Sequence, residues 1–309
     1  MRKTRESSRI DLRQWRQFLA VAEELHFGRA ALRLHMTQPP LTQSIAALEA
    51  ALGERLFDRT KRSVRLTAAG DALLDPARDL LARAGAMSGL ARAAAAGEVG
   101  ALKLAFVSTV GFSLLPQWVR EFGSEAAGVR LELLEATGDV QLQALARGEI
   151  DAGFLLHAPG FAPPGLAHLL IADEPLVLAL PESHPLAGLE QVSLADVLAA
   201  PLVMFPRRIL PSLHDALFGV YHVGGVLPQV AQEAIQMQTI VNLVSAGLGV
   251  AWVPDSVRQF QRSGVVYRSV QVTEVTALPR CETSLVWSPG ASSPALRRFV
   301  AWLQARQRA

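Results

Sequence analysis

The sequence predicts an α/β protein: an N-terminal winged helix-turn-helix, a long linker helix, and a two-lobed α/β domain. Three observations carry that expectation. Between Phe27 and Thr67 a short helix, a tight turn, a proline-started helix and a basic hairpin follow one another. From Leu73 to Ala94 apolar and small residues recur in steps of four and three. From residue 101 onward short apolar strands alternate with helical segments.

Leu12, Trp15, Phe18, Leu19 and Ala22 recur at helical spacing, which predicts an amphipathic first helix over residues 12–24. Residues 28–34 form a second, short helix in which Ala30 and Ala31 let a neighbour cross closely. Met36 and Thr37 make the turn. Pro39 and Pro40 open the third helix, where a missing backbone N–H costs nothing because the first turn has no intrahelical acceptor. Leu41, Ile45 and Leu48 form one stripe at i, i+4, i+7 that must face a core. Gln38, Thr42, Gln43 and Ala46 fall off the stripe, and their short donors, acceptors and methyl suit base edges in a major groove. Taken alone, such helices also fit a plain three-helix bundle with a polar face.

The segment that follows favours nucleic acid. Arg55, Arg59, Lys61, Arg62 and Arg65 cluster around a turn from Thr60 to Ser63, where phosphates would lie. The charge is also unevenly distributed. Residues 1–92 hold 16 Lys and Arg against 10 Asp and Glu, a net of +6, whereas residues 93–309 hold 14 against 18, a net of −4. The whole-chain value of +2 hides a basic head and a mildly acidic body. Such a head gains affinity by releasing counterions, so DNA binding should weaken steeply with salt.

Residues 10–67 resemble the DNA-binding domain of LysR-type transcriptional regulators. The resemblance rests on Ala30-Ala31-x-x-Leu34, Gln38-Pro39-Pro40-Leu41-Thr42, Ile45-x-x-Leu48-Glu49, Leu52-Gly53, Leu56-Phe57-x-Arg59 and Leu66-Thr67-x-x-Gly70, a long match without gaps. It implies that Gln38, Pro39, Pro40, Thr42 and Gln43 meet the groove, while Lys61 and Arg62 reach the minor groove or backbone from the wing. One position departs from the family pattern: Gln43 stands where Arg is usual. A bidentate guanine or phosphate contact is lost there, and Gln favours adenine.

Residues 1–9 form a basic tail, either an arm that adds phosphate contacts or an inert extension; no apolar segment follows that would make a signal peptide. No run of 18 uncharged apolar residues occurs, so no membrane contact and a cytoplasmic location are expected. Cys281 is the single cysteine, and the seven histidines lack metal-ligand spacing, so neither metal nor cofactor is expected. Residues 68–97 form the linker. Leu73, Ala77, Leu80, Ala84 and Met87 lead a heptad seam that fits a dimerisation helix; one amphipathic helix packed on its own domain is the alternative. Pro76 should kink this helix or mark its true start, and Gly97 and Gly100 end it.

Residues 98–309 make the second domain. Strands over 101–107, 129–135 and 150–156, with helices over 111–122 and through Leu142 and Leu145, form a βαβαβ unit and so a parallel, doubly wound sheet. A second unit runs through strands 176–180, 201–205 and 229–234, with a short helix started by Ser193 and Asp196 and helices over 212–221 and 238–249. Strands over 250–254, 265–272 and 283–288 and a closing helix over 294–306 complete it. The arrangement resembles the two-lobed effector domain of the same family, of the type II periplasmic-binding-protein kind. By that likeness lobe one is 101–171 with 277–309, lobe two is 172–276, and the chain crosses near Ala172 and Thr276. A ligand is then expected in the cleft, beyond the carboxyl ends of the strands.

The first strand runs into Ser108 and Thr109 just before a helix, where two hydroxyls beside unpaired N–H groups suit a carboxylate, or where one hydroxyl simply caps the helix. Thr137 and Gly138 repeat the arrangement after the second strand of lobe one. From lobe two, Pro206, Arg207 and Arg208 follow a strand, and an arginine there could close over an acid or lie solvated. Resemblance to the aromatic-acid-responsive branch of the family points to Thr109, Thr137 and Pro206 as inducer contacts.

These readings lead to a ligand-responsive transcription regulator whose partners are double-stranded promoter DNA, a small organic acid, further copies of itself as dimer or tetramer, and RNA polymerase. A solute-binding protein with an unusual head would share the second fold, but the basic winged head and missing export signal oppose it. An enzyme is not expected: no Ser-His-Asp set, GxSxG elbow or phosphate-binding glycine loop is present, and the adjacent Asp173 and Glu174 suit a salt bridge or cap better than acid–base chemistry.

Overall fold

The computed structural model describes residues 10–60, 63–271, 278–290 and 293–308. The chain divides into two compact units after Arg92. In the first, helix α1 (Leu12–Glu24) begins with a reciprocal capping box between Asp11 and Gln14. Helix α2 (Phe27–Arg33) is capped by the His26 ring, whose Nδ1 accepts from the N–H of Gly28 and Arg29. Helix α3 (Gln38–Leu52) carries its two prolines in the first turn. The turn between α2 and α3 places His35 in left-handed conformation (φ 52°), a local demand that the Met36–Thr37 reading missed. Strands β1 (Phe57–Arg59) and β2 (Val64–Leu66) pair antiparallel as the wing.

Leu41, Ile45 and Leu48 are fully buried with Phe18, Leu56 and Phe57, as the stripe requires. Helix α4 (Ala68–Ala95) starts at Thr67, whose Oγ1 accepts from the N–H of Gly70 at 3.0 Å and donates to the Arg55 carbonyl at 2.6 Å. Pro76 therefore lies inside the helix and not at its start. A Cβ on Gly70 would come within 2.2 Å of the Leu56 carbonyl oxygen, so only glycine lets α4 approach the wing this closely.

In the second unit, strand β3 (Gly100–Phe106), helices α5 (Ser108–Phe112) and α6 (Leu115–Glu125), strand β4 (Val129–Glu135), helix α7 (Gly138–Ala146) and strand β5 (Ala152–His157) build the first lobe. Both β4 and β5 lie parallel to β3. The next strand, β6 (Ala167–Pro181), is fifteen residues long, far beyond the 176–180 segment legible in the sequence. The second lobe follows as β7 (Gln191–Ser193), α8 (Leu194–Leu198), β8 (Leu202–Met204), α9 (Pro211–Val223), β9 (Val230–Glu233), α10 (Met237–Ser245), β10 (Ala251–Pro254) and β11 (Val265–Gln271). Strand β12 (Arg280–Trp287) and helix α11 (Pro294–Gln307) return to the first lobe.

The expectation of a parallel sheet holds only in part. Strand β12 runs antiparallel to both β5 and the first half of β6, while the second half of β6 pairs antiparallel with β10 and β11. Because β6 itself carries the chain between lobes, the two cores share one continuous mixed sheet. One core gathers Trp118, Phe122, Phe154 and Phe299; the other gathers Leu178, Leu217, Tyr221 and Trp252. The crossing read near Ala172 thus lies within a strand, and the one read near Thr276 falls outside the described residues.

Candidate functional site

The first candidate site is the exposed face of α3 with the wing. Gln38, Pro39, Pro40 and Gln43 are exposed and Thr42 is half-buried, all on the side away from Leu41, Ile45 and Leu48. The Thr42 hydroxyl donates to the Gln38 carbonyl at 3.1 Å, which leaves its lone pairs and methyl outward. Thr60 N–H donates to the Ser63 carbonyl at 2.9 Å, and Ser63 N–H to the Thr60 hydroxyl at 3.0 Å, closing the hairpin on either side of the two basic residues. Lys61 and Arg62 themselves lie outside the described residues. A surface concavity runs between these elements, lined by His26, Gly28, Gln38, Thr42, Arg59 and Thr60 among others.

Arg59 corrects the reading of a uniform phosphate-facing cluster. Its guanidinium donates to Glu49 at 2.6 Å, lies 4.9 Å from the centre of the Phe27 ring and is only 27% exposed. It braces the wing, because Glu49 also accepts the N–H of Leu56 and Phe57.

Along the linker, the five seam residues separate into two groups. Ala77 is buried in the head's own core and Leu73 packs against it. Leu80 and Met87 are 41% and 58% exposed within one chain, and Ala84 is half-buried. The heptad pattern could not distinguish these, since both groups keep the same spacing.

The third site is a cavity in the second unit. Its first wall is Val107, Ser108, Thr109, Ala136, Thr137 and Gly138, at the carboxyl ends of β3 and β4. Its opposite wall is Phe205, Ile209, Leu210, Ile235, Met237 and Ile240, at the ends of β8 and β9, with Gln236 beside them. The cleft rule therefore applies to both lobes. Ser108, Thr109, Thr137 and Gly138 are brought together as expected. Thr109 is 3% exposed, and its Oγ1 has no hydrogen-bond partner among the described residues. No side chain caps the N-terminus of α7 or of α10, so their first N–H groups are left unclaimed by side chains.

Pro206 and Arg207 do not line this cavity. Arg207 donates twice to Asp215, at 2.7 and 2.6 Å, and this exposed pair holds the Asp215 carboxyl down to about 2. The Asp215 carboxylate one turn into α9 draws the guanidinium along the outside of the lobe. Sequence reasoning overlooked Ile235, Gln236 and Met237. The signal was available, because they join β9 to α10 as Ser108 and Thr137 join strand to helix in lobe one.

Farther along β6, Asp173 accepts from Arg280 at 2.7 Å. Glu174 accepts from the backbone N–H and hydroxyl of Ser256 at 2.6 and 3.1 Å. Burial pushes the Glu174 carboxyl above its ordinary value in spite of those hydrogen bonds. Asp173 thus ties β6 to β12, and Glu174 ties it to the turn that follows β10.

Among the described residues, no helix is long and apolar enough to cross a membrane. The family model for the bacterial regulatory helix-turn-helix protein, lysR family, matches residues 12–71, and that for the LysR substrate binding domain matches residues 95–308. The HTH-type transcriptional regulator IlvR of Caulobacter vibrioides is 47% identical over 94% of this chain and 96% of its own length. AlsR of Bacillus subtilis is 36% identical over 94% of each. The crystal structure of full-length CbnR complexed with its target DNA superposes with a TM-score of 0.76 at 33% identity, over 96% of this chain and 99% of that one. These relatives are regulators and not enzymes. With a DNA-reading head and a substrate-binding domain matched over nearly its whole length, the chain belongs to the LysR family of DNA-binding transcription regulators.

Proposed function

We propose that this regulator couples promoter binding to a small organic carboxylate held in the cavity between its two lobes. The observation that carries the reading is the buried, unpartnered Thr109 hydroxyl beside the uncapped N-terminus of α7. A carboxylate supplies the acceptor that the hydroxyl lacks and the charge that a helix N-terminus favours. The apolar opposite wall receives the body of the acid, and an aromatic ring is one such body. Because the cavity has walls from both lobes, an acid that fits one lobe arrangement better than another biases the population between them.

On the DNA side, Gln38, Pro39, Pro40, Thr42 and Gln43 meet the major groove, and Lys61 and Arg62 meet phosphates from the wing. Leu80, Ala84 and Met87 cover the same residues of a second chain, so that a two-fold protein matches a two-fold operator; two such dimers would make a tetramer. RNA polymerase is the remaining partner. The test is titration of the full chain with DNA from upstream of its own gene at graded salt, with and without small carboxylates. Salt-sensitive binding whose affinity or footprint changes with a carboxylate is expected. Binding unaffected by any carboxylate overturns the coupling.

A further inference from the structure

The charge that the cavity can hold is set by what lines it. Among the described residues no Lys, Arg or His lines the cavity, and Arg207 is committed to Asp215 outside it. Positive potential comes from two uncapped N-termini, those of α7 and α10, each nine residues long. A helix N-terminus is equivalent to about half a positive charge. Two of them match one carboxylate at most, and Asp139 in the first turn of α7 already offsets part of that.

The second observation is the placement of hydrogen-bonding groups. The Ser108, Thr109 and Thr137 hydroxyls lie on the first-lobe wall, and Thr109 Oγ1 is buried without a partner. Among the described residues of the second-lobe wall only Gln236 is polar; Phe205, Ile209, Leu210, Ile235 and Ile240 present hydrocarbon. A second carboxylate turned toward them would be desolvated with neither cation nor hydroxyl to meet it, which is far costlier than burying a methyl group there. We infer that the cavity selects a monoanionic carboxylic acid with an apolar body and rejects the corresponding dianion. This rests on the reading of the cavity as the effector site, and narrows it.

The experiment compares acids of one carbon skeleton in which one methyl or ring hydrogen is replaced by a second carboxylate. The pairs are 3-methylbutanoate with methylsuccinate, 4-methylpentanoate with 2-methylglutarate, and benzoate with terephthalate. Binding to the full chain is measured by calorimetry at neutral pH. The expected result is at least tenfold tighter binding of the monoanion in the pair that fits. Thr109→Val, which keeps the shape and removes the hydroxyl, should weaken that monoanion about tenfold, the loss expected of one hydrogen bond to a charged group. Ile235→Lys places a cation on the apolar wall at a half-exposed position and should shift preference toward the dianion.

A dianion binding as tightly as its monoanion partner, or an unchanged preference in Ile235→Lys, overturns the inference while leaving a carboxylate effector in place. Unchanged monoanion affinity in Thr109→Val overturns the placement of the charge. If no acid of either set binds, the inference and the effector reading beneath it both fail.

Discussion

Glu49 Oε2 lies 2.6 Å from Arg59 Nη2, joining the last turn of α3 to the first strand of the wing. A carboxylate near a helix C-terminus is unfavourable against the helix dipole. Here three donors offset that cost, since Oε1 also takes the N–H of Leu56 and Phe57 at 2.9 and 3.1 Å. Helix α3 and the wing hairpin are thereby tied to each other through one side chain.

Glu49→Ala should leave Arg59 and two backbone N–H groups unpaired at a site where the carboxylate is only 11% exposed. The expected loss of head stability is about 2–4 kcal/mol, the cost of breaking a mostly buried pair. Urea unfolding of the full chain should show an earlier head transition, and operator affinity should fall with it. A head transition at the wild-type midpoint would refute the bracing role.

Thr42→Ala and Gln43→Ala should reduce discrimination between operator and random DNA, each by about 1–3 kcal/mol if its side chain meets a base edge. Lys61→Ala and Arg62→Ala should instead weaken both kinds of binding and lower the salt slope by about 1 each. Fluorescence titrations at several salt concentrations separate the two patterns. Equal losses on specific and random DNA for all four variants would refute the division of labour.

Leu80→Glu and Met87→Glu place charges on linker positions that are exposed within one chain. Light scattering should show dissociation to smaller species, with helical content retained. Ala77→Glu, by contrast, buries a charge in the head core and should unfold the head first. Unaltered mass in the first two variants would remove the linker from the association surface.

Because burial raises the Glu174 carboxyl, the folded chain binds this proton more tightly than the unfolded chain does. Its contribution to stability is greatest at low pH and declines as pH rises from the unfolded value of about 4.3 through the higher folded one. Glu174→Gln keeps an acceptor for Ser256 without the charge, and relieves repulsion from Asp255 and Asp173. The variant should melt higher than wild type at neutral pH, with the gap closing as pH falls toward 4. A lower melting temperature at neutral pH would mean that the hydrogen bonds to the ionised carboxylate outweigh its burial.

The head was legible as sequence because its determinants are local. The spacing of Leu41, Ile45 and Leu48 fixes which face of α3 is buried, Pro39 and Pro40 mark its first turn, and Thr67 starts the linker. Ser108, Thr109, Thr137 and Gly138 were legible for the same reason: each stands where a strand hands over to a helix. Tertiary structure alone decided the rest. Whether Ala77 or Leu80 faces a core depends on where the head packs, which their common heptad spacing does not encode. Arg59 and Arg207 read as free cations until Glu49 and Asp215 were brought beside them by the fold. The apolar wall of Ile235, Met237 and Ile240 became half of a cavity only when β6 carried the chain across and set the second lobe opposite the first. Periodicity and capping act over a few residues and are written in order along the chain. Charge pairing and cavity shape arise between segments dozens of residues apart, where only the packed sheet determines which groups meet.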